Sequence, residues 1–234
     1  MRLTLAPSFL ALFPDAIVGI AVGRELTNSG APPGLAGRLE RAAAAAAGAF
    51  AGVPIAEHPR LAVWREAYRR FGAKPRDHPS SIESLVRRAV KGGGLRSINP
   101  LVDLYNAVSL ERLLPAGAED LDAISGDVEL TVAGEGEAPV RLLGEPEERA
   151  PRPGEVIYRD GVGAICRRWN WKEADRTKIT PATRSAVAVV EGLPPIPRAD
   201  VEAAVAEIAK GMRDRLGGTA ETAVLDRARP EVAL

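Results

Sequence analysis

With 234 residues, 46% of them hydrophobic and 26% charged, the chain has enough apolar material for a buried core and too little bias for a low-complexity polymer. A single cysteine, Cys166, excludes an internal disulfide, and with only two histidines, His58 and His78, a zinc site of cysteine and histidine ligands is short of members. The 31 basic and 31 acidic residues cancel, so no global field draws the molecule to nucleic acid.

The apolar run from Leu10 to Val22 is interrupted by Pro14 and Asp15 and fits neither a membrane span nor a cleavable leader, so a cytoplasmic protein with no membrane partner is expected. Ala16 to Gly23 is short and rich in β-branched residues and reads as a buried strand, closed by the polar Thr27-Asn-Ser-Gly turn. Gly34 to Phe50, with six consecutive alanines from Ala42, predicts a helix. Leu61, Trp64, Tyr68 and Phe71 recur at three- and four-residue steps and predict a second one over 60–71. Ser80 and Glu83 stand three apart, as in a capping box, before Ile82, Leu85, Val86 and Ala89, and the run that starts at Gly92 should end that helix. On a helix beginning at Asn99, the polar residues Asp103, Asn106 and Ser109 share a face.

Beyond Gly126 the period changes to two. Val128, Leu130 and Val132 predict a half-buried strand, and 140–143, 156–158, 164–166 and 186–190 read as further short strands. Val201, Val205, Ile208, Met212 and Leu216 mark a closing amphipathic helix. Residues 1–218 are expected to form one domain, and 219–234 a frayed tail.

Charge is segregated locally. Eleven basic against five acidic residues lie between Pro59 and Arg112, and six against two between Arg167 and Arg184. Such stretches either build a basic face for a polyanion or are solvated helix surfaces. No Gly-rich phosphate loop, Gly-x-Ser-x-Gly elbow or His-Glu-x-x-His pair is present. The histidines sit beside prolines in expected loops, and Cys166 in an apolar strand reads as an inert thiol. The densest group of unusual side chains is Arg167-Arg-Trp-Asn-Trp-Lys-Glu, whose Trp169 and Trp171 either stack on a base or sugar or fill the core. Thr177, Thr180 and Thr183 follow, either as turn residues or as groups that orient a water or an amine.

Asn99-Pro-Leu-Val-Asp-Leu-Tyr-Asn-Ala-Val-Ser, followed by Leu114-Pro-Ala-Gly-Ala-Glu-Asp-Leu-Asp and Ile124-Ser-Gly, resembles the editing domain of the phenylalanyl-tRNA synthetase β subunit. There the pattern runs Asn-Asn-Val-Val-Asp-Ile-Thr-Asn-Tyr and then Pro-Leu-His-Ala-Phe-Asp-Leu-Asp-Lys-Ile, in the same order and spacing. Arg65-Glu-Ala-Tyr-Arg-Arg-Phe-Gly-Ala-Lys-Pro and Pro79-Ser-Ser-Ile-Glu-Ser-Leu look like freestanding relatives of that domain, and the resemblance covers Val63 to Glu191.

The resemblance implies an α/β (α+β) fold of layered sheets and helices, β/β/α, and a pocket that hydrolyses the ester of mischarged tRNA in trans. It implies Asn106, Ser109 and Thr183 as catalytic, and Gly117, Glu119, Arg167, Trp169 and Asn170 as substrate-binding. Arg65, Lys74, Arg87 and Arg88 would meet the tRNA. Aminoacyl-tRNA is the expected partner, with no ATP, metal or other cofactor. An aminoacyl ester is already activated, so a positioned water and donors for the oxyanion can suffice. Gly117 stands at the synthetase histidine and Glu119 at the phenylalanine, so tyrosine specificity does not carry over. The alternatives are a non-catalytic RNA-binding module of the same fold, or a small-molecule hydrolase or ligand sensor in the same pocket.

Overall fold

The structure, a computed structural model, describes residues 1–92 and 95–234; glycines 93 and 94 of the expected helix stop lie outside the described residues. The N-terminal half alternates β1 (Arg2–Leu5), α1 (Pro7–Leu12) and β2 (Ile17–Arg24) before four helices, α2 (Leu35–Ala49), α3 (Pro59–Arg70), α4 (Ser81–Val90) and α5 (Pro100–Arg112). Strands follow: β3 (Ala116–Asp120), β4 (Val128–Val132), β5 (Val140–Arg141), β6 (Glu148–Arg149), β7 (Val156–Arg159), β8 (Ala164–Arg167), β9 (Lys172–Glu173) and β10 (Ala186–Gly192). The chain then runs through α6 (Arg198–Leu216), β11 (Thr219–Leu225) and β12 (Glu231–Ala233).

Two main sheets carry the molecule. One has the order β12-β1-β4-β7-β8-β9 with β1 and β4 parallel, and the other the order β11-β2-β10-β3, antiparallel throughout. Their facing sides share a core in which Leu3, Leu5, Val128, Leu130 and Tyr158 meet Val18, Ile20 and Val187. The opposite side of the second sheet, through Ala21, Ala186, Ala188 and Val190, packs on α5 and α6 by Leu101, Leu104, Val201, Val205, Ile208 and Met212. The result is the β/β/α layering that the resemblance implies. Alternation along β10 explains it: odd-numbered residues face the first sheet and even-numbered ones the helices. Where α5 and α6 meet, Gly211 is required, because a Cβ there would lie 2.5 Å from Leu104.

Local signals fix the helix starts. The Ser80 hydroxyl accepts from the Glu83 N–H at 3.4 Å, and the Asn99 side chain accepts from Val102 N–H at 3.1 Å. Two regions differ from expectation. Residues 116–120 form a strand, although Ala-Gly-Ala-Glu-Asp has little β-propensity; its pairing with β10 decides the matter. The tail from Thr219 is not frayed: β11 pairs with β2 from Thr219↔Arg24 to Leu225↔Val18, and β12 pairs with β1. These are edge strands largely open to solvent, and their mixed sequences, Thr-Ala-Glu-Thr-Ala-Val-Leu and Glu-Val-Ala, carry no clear alternation of apolar and polar residues.

Helix α3 inserts its apolar face into the inter-sheet core. Trp64 is fully buried and meets Trp169 edge to face at 5.0 Å. Trp64→Ala is expected to lower unfolding free energy by about 3–5 kcal/mol, read as a shift in the urea midpoint at unchanged slope.

Candidate functional site

The site begins with a tight hairpin. β8 and β9 pair Cys166 with Glu173 and Arg167 with Lys172, leaving 168–171 to turn the chain. Arg168 and Trp169 adopt positive φ, 49° and 65°, a cost that the surrounding contacts must sustain in non-glycine residues. Those contacts are extensive. Trp169 is fully buried, with its ring 4.9 Å from Phe9, 4.7 Å from Phe13 and 5.0 Å from Trp64. Ser81 N–H donates to the Asn170 carbonyl at 2.9 Å, anchoring the turn to the start of α4.

Between the hairpin and the β3–β10 pair lies a cavity of about 190 Å³. Its wall is mostly apolar, through Leu3, Val128, Ile165, Val187, Val189 and Leu143, yet it contains three glutamates, Glu119, Glu173 and Glu191. Register explains their convergence. Tyr158, Cys166 and Glu173 are partners in one row across β7, β8 and β9, while Glu119 and Val187 are partners on the opposing sheet. Glu191 follows two residues beyond Val189 on the same face of β10.

Glu191 is held by donors from the other sheet. Oε1 accepts from Tyr158 Oη at 2.6 Å and Trp169 Nε1 at 2.7 Å, and Oε2 from Asn170 Nδ2 at 2.6 Å. Tyr68 on α3 donates to Asn170 Oδ1 at 2.9 Å, which orients the amide. Burial raises the Glu191 pKa to about 7 even though the three donors favour its charged form. Burial likewise lifts Glu173 to about 7, partly offset by the Ala118 N–H. Glu119 is pushed well above the carboxylate range, first by burial and then by the Glu173 charge. The buried Cys166 thiol is also pushed up, first by burial, in keeping with an inert role.

The structure brings together four of the residues expected at the site, Gly117, Glu119, Trp169 and Asn170, in the cavity wall. It does not bring Asn106, Ser109, Thr183 or Arg167 there. Asn106 is half-buried on α5, and the Ser109 hydroxyl donates to the Leu114 carbonyl at 2.5 Å, closing that helix. Thr183 Oγ1 donates to Asp120 at 2.6 Å and accepts from the Thr180 N–H at 2.9 Å, which makes it a loop brace. Arg167 is buried, and its guanidinium grips Glu155 through two bonds of 2.8 Å, so it is a strut and not a free cation. Arg65 and Arg87 both converge on the buried Glu83 at 2.6 Å, while Lys74 and Arg88 remain exposed.

Glu191 and Glu173 are the residues that sequence reading missed. Glu191 was visible only as the polar end of an apolar strand, and Glu173 as one charge among several in the hairpin. The two tryptophans divide the alternatives left open: Trp169 fills the core, whereas half-buried Trp171 lies under Arg168 at 4.5 Å and meets His78 edge-on at 4.5 Å. His58 caps α3 by accepting from Arg60 N–H at 3.3 Å. Among the described residues, no cluster of three His, Cys, Asp or Glu side chains is arranged for a metal, and no helix is long and apolar enough to cross a membrane.

Two expected outcomes follow from this geometry. Arg167→Ala removes the two-bond partner of the buried Glu155, leaving it the Arg168 guanidinium at 3.8 Å and the Arg168 N–H at 3.2 Å, and should cost up to about 3 kcal/mol of stability by chemical denaturation. Glu173 keeps its proton to about pH 7 in the fold but releases it near 4.3 when unfolded. The folded state therefore binds more protons between those values, and stability falls as pH rises through that window. Glu173→Gln should flatten this slope, so that the variant gains on wild type as pH rises through the same window in urea titrations.

A family model described as the B3/4 domain matches residues 63–212. Phenylalanine–tRNA ligase β subunits of Bordetella pertussis, Bordetella parapertussis and Bordetella bronchiseptica are each 34% identical to the chain over 88 residues, 38% of this chain. That match spans only 10% of each relative. An N-terminal fragment of the phenylalanyl-tRNA synthetase β subunit from Pyrococcus horikoshii aligns over 93% of this chain and 49% of its own, with 12% identity and a TM-score of 0.46. Since the family match runs from α3 to the last turns of α6 and takes in the whole cavity wall except Leu3, the chain belongs to the B3/4 domain family.

Proposed function

We propose that the protein is a freestanding deacylase that hydrolyses the ester of mischarged tRNA. The carrying observation is Glu191, fixed by three donors in the wall of an apolar cavity. The family membership and the similarity to β subunits of a tRNA ligase support the reading. Apolar walls admit an aminoacyl group. Glu191, whose pKa near 7 leaves it substantially ionised at neutral pH, receives the α-ammonium. A water then attacks the acyl carbon, the ester C–O bond breaks, and the ribose oxygen leaves with a proton, assisted by the neighbouring ribose hydroxyl. The residues supply position and electrostatics and the activated ester supplies the driving force.

In this reading Glu191 and Asn170 replace Asn106, Ser109 and Thr183 as the polar groups at the reaction centre. Of the four cations expected at the tRNA, Lys74 and Arg88 are proposed as contacts, because Arg65 and Arg87 are committed to Glu83. A panel of correctly and incorrectly charged tRNAs tests the proposal, with release of at least one amino acid above the buffer rate expected. Glu191→Gln should slow that release at least about tenfold, measured well below the melting temperature of the variant, which is expected to fall because its amide nitrogen meets a donor in the clasp. No release from any member of the panel overturns the reading. Joint replacement of Lys74 and Arg88 by alanine should weaken tRNA binding and make it less salt-dependent while leaving stability unchanged.

A further inference from the structure

From the two carboxyl groups that Glu191 does not account for, we infer that Glu119 and Glu173 form a second cation subsite in the same cavity, selecting a ligand whose side chain ends in a primary ammonium, of lysine or ornithine type. Three observations carry this. Glu119 Oε2 is out of contact with solvent and makes no hydrogen bond of normal geometry, its one neighbouring donor being the buried Thr177 hydroxyl, so its capacity to meet a cation is unfilled. Glu173 reaches Glu119 from the opposite sheet, so the pair spans the cavity instead of lying along one strand. Gly117 makes the room: a Cβ at that position would stand 3.2 Å from Glu173 Oε1. Thus, where the synthetase pattern carries an imidazole, this chain carries a glycine with a carboxyl group seated against it.

The charges around the pair are otherwise committed. Arg176, which faces Glu119, bonds Asp160, and Lys172 at the cavity wall bonds Glu145 at 2.7 Å. Lys178, opposite Glu119 in the strand pairing, bonds Asp175 at 2.7 Å. None of these cations closes on Glu119 Oε2. The apolar wall between Glu191 and the pair suits a methylene chain. A ligand with ammonium groups at both ends therefore meets a carboxyl group at each, whereas a neutral side chain leaves the pair facing hydrocarbon. An isolated acidic pair that held a metal would need further ligands, and the described residues offer no such cluster.

The inference rests on the deacylase reading only for the acyl carrier, and its test separates the two. Lysinamide and norleucinamide differ by the terminal ammonium and have no ester to cleave. Calorimetric titration of the full chain should show lysinamide binding at least about tenfold more tightly. The double variant Glu119→Gln, Glu173→Gln should bring the two amides to parity, with Glu119→Gln alone as a second variant should the double one fold poorly. Equal or tighter binding of norleucinamide, no binding of lysinamide at millimolar concentration, or a preference that survives both variants overturns the subsite. With charged tRNAs, lysyl or ornithyl esters should be released faster than norleucyl esters. If the amides obey the prediction but no ester is cleaved, the subsite stands and the deacylase reading fails. If esters are cleaved without preference for the cationic ones, the subsite fails and the deacylase reading stands.

Discussion

The clasp around Glu191 is the constraint on which the arrangement depends. A carboxyl group in the core between two sheets is costly unless donors meet it, and here all three donors come from across the interface, from β7 and the β8–β9 turn. The clasp therefore holds the two sheets in one relation. It also explains why Trp169 tolerates a left-handed backbone: that conformation aims its indole N–H at Glu191 while the ring packs on Phe9, Phe13 and Trp64. From the helical side, Tyr68 sets the Asn170 amide so that its nitrogen points at the carboxyl group. The same side chains that stabilise the fold thus shape the cavity.

The helices and most strands were legible because their signals are local. Ser80 before Glu83, Asn99 before Pro100 and the apolar alternation of Val128, Leu130 and Val132 each act within one turn or one strand. Residues 116–120 and 219–225 were not legible as strands, since neither carries strong β-propensity and each owes its conformation to a neighbour distant in sequence. Of the residues that the family pattern named, Gly117, Glu119, Trp169 and Asn170 line the cavity. Glu173 and Glu191 escaped because their convergence is a product of strand register, which places residues 119, 173 and 191 around one space although no spacing in the sequence links them.

Arginine presents the opposite error. In sequence, Arg65, Arg87 and Arg167 look like a basic surface, but the fold spends two of them on the fully buried Glu83 and the third on Glu155. Charge counts along a chain register neither burial nor partners. A run that is net positive in sequence offers fewer free cations at the surface once some of them turn inward to an acid of the same run, as Arg65 and Arg87 do to Glu83.

This inward pairing bears on how the cavity could discriminate. Steering by a broad positive face would attract any polyanion and say little about what it carries. With Arg65, Arg87 and Arg167 paired internally, the proposed contact with tRNA is left to exposed cations such as Lys74 and Arg88 and to the lining of the cavity. There three acids, raised in pKa by burial, share a largely apolar wall with Tyr158, Asn170 and Lys172. An environment of that kind disfavours added negative charge and offers a neutral side chain no partner for Glu119 and Glu173. A ligand that brings positive charge turns such desolvated carboxyl groups into ion pairs. On the proposal made above, selectivity turns on charge at the end of the ligand more than on its shape, and the absence of a side chain at Gly117 leaves room for the Glu173 carboxyl group.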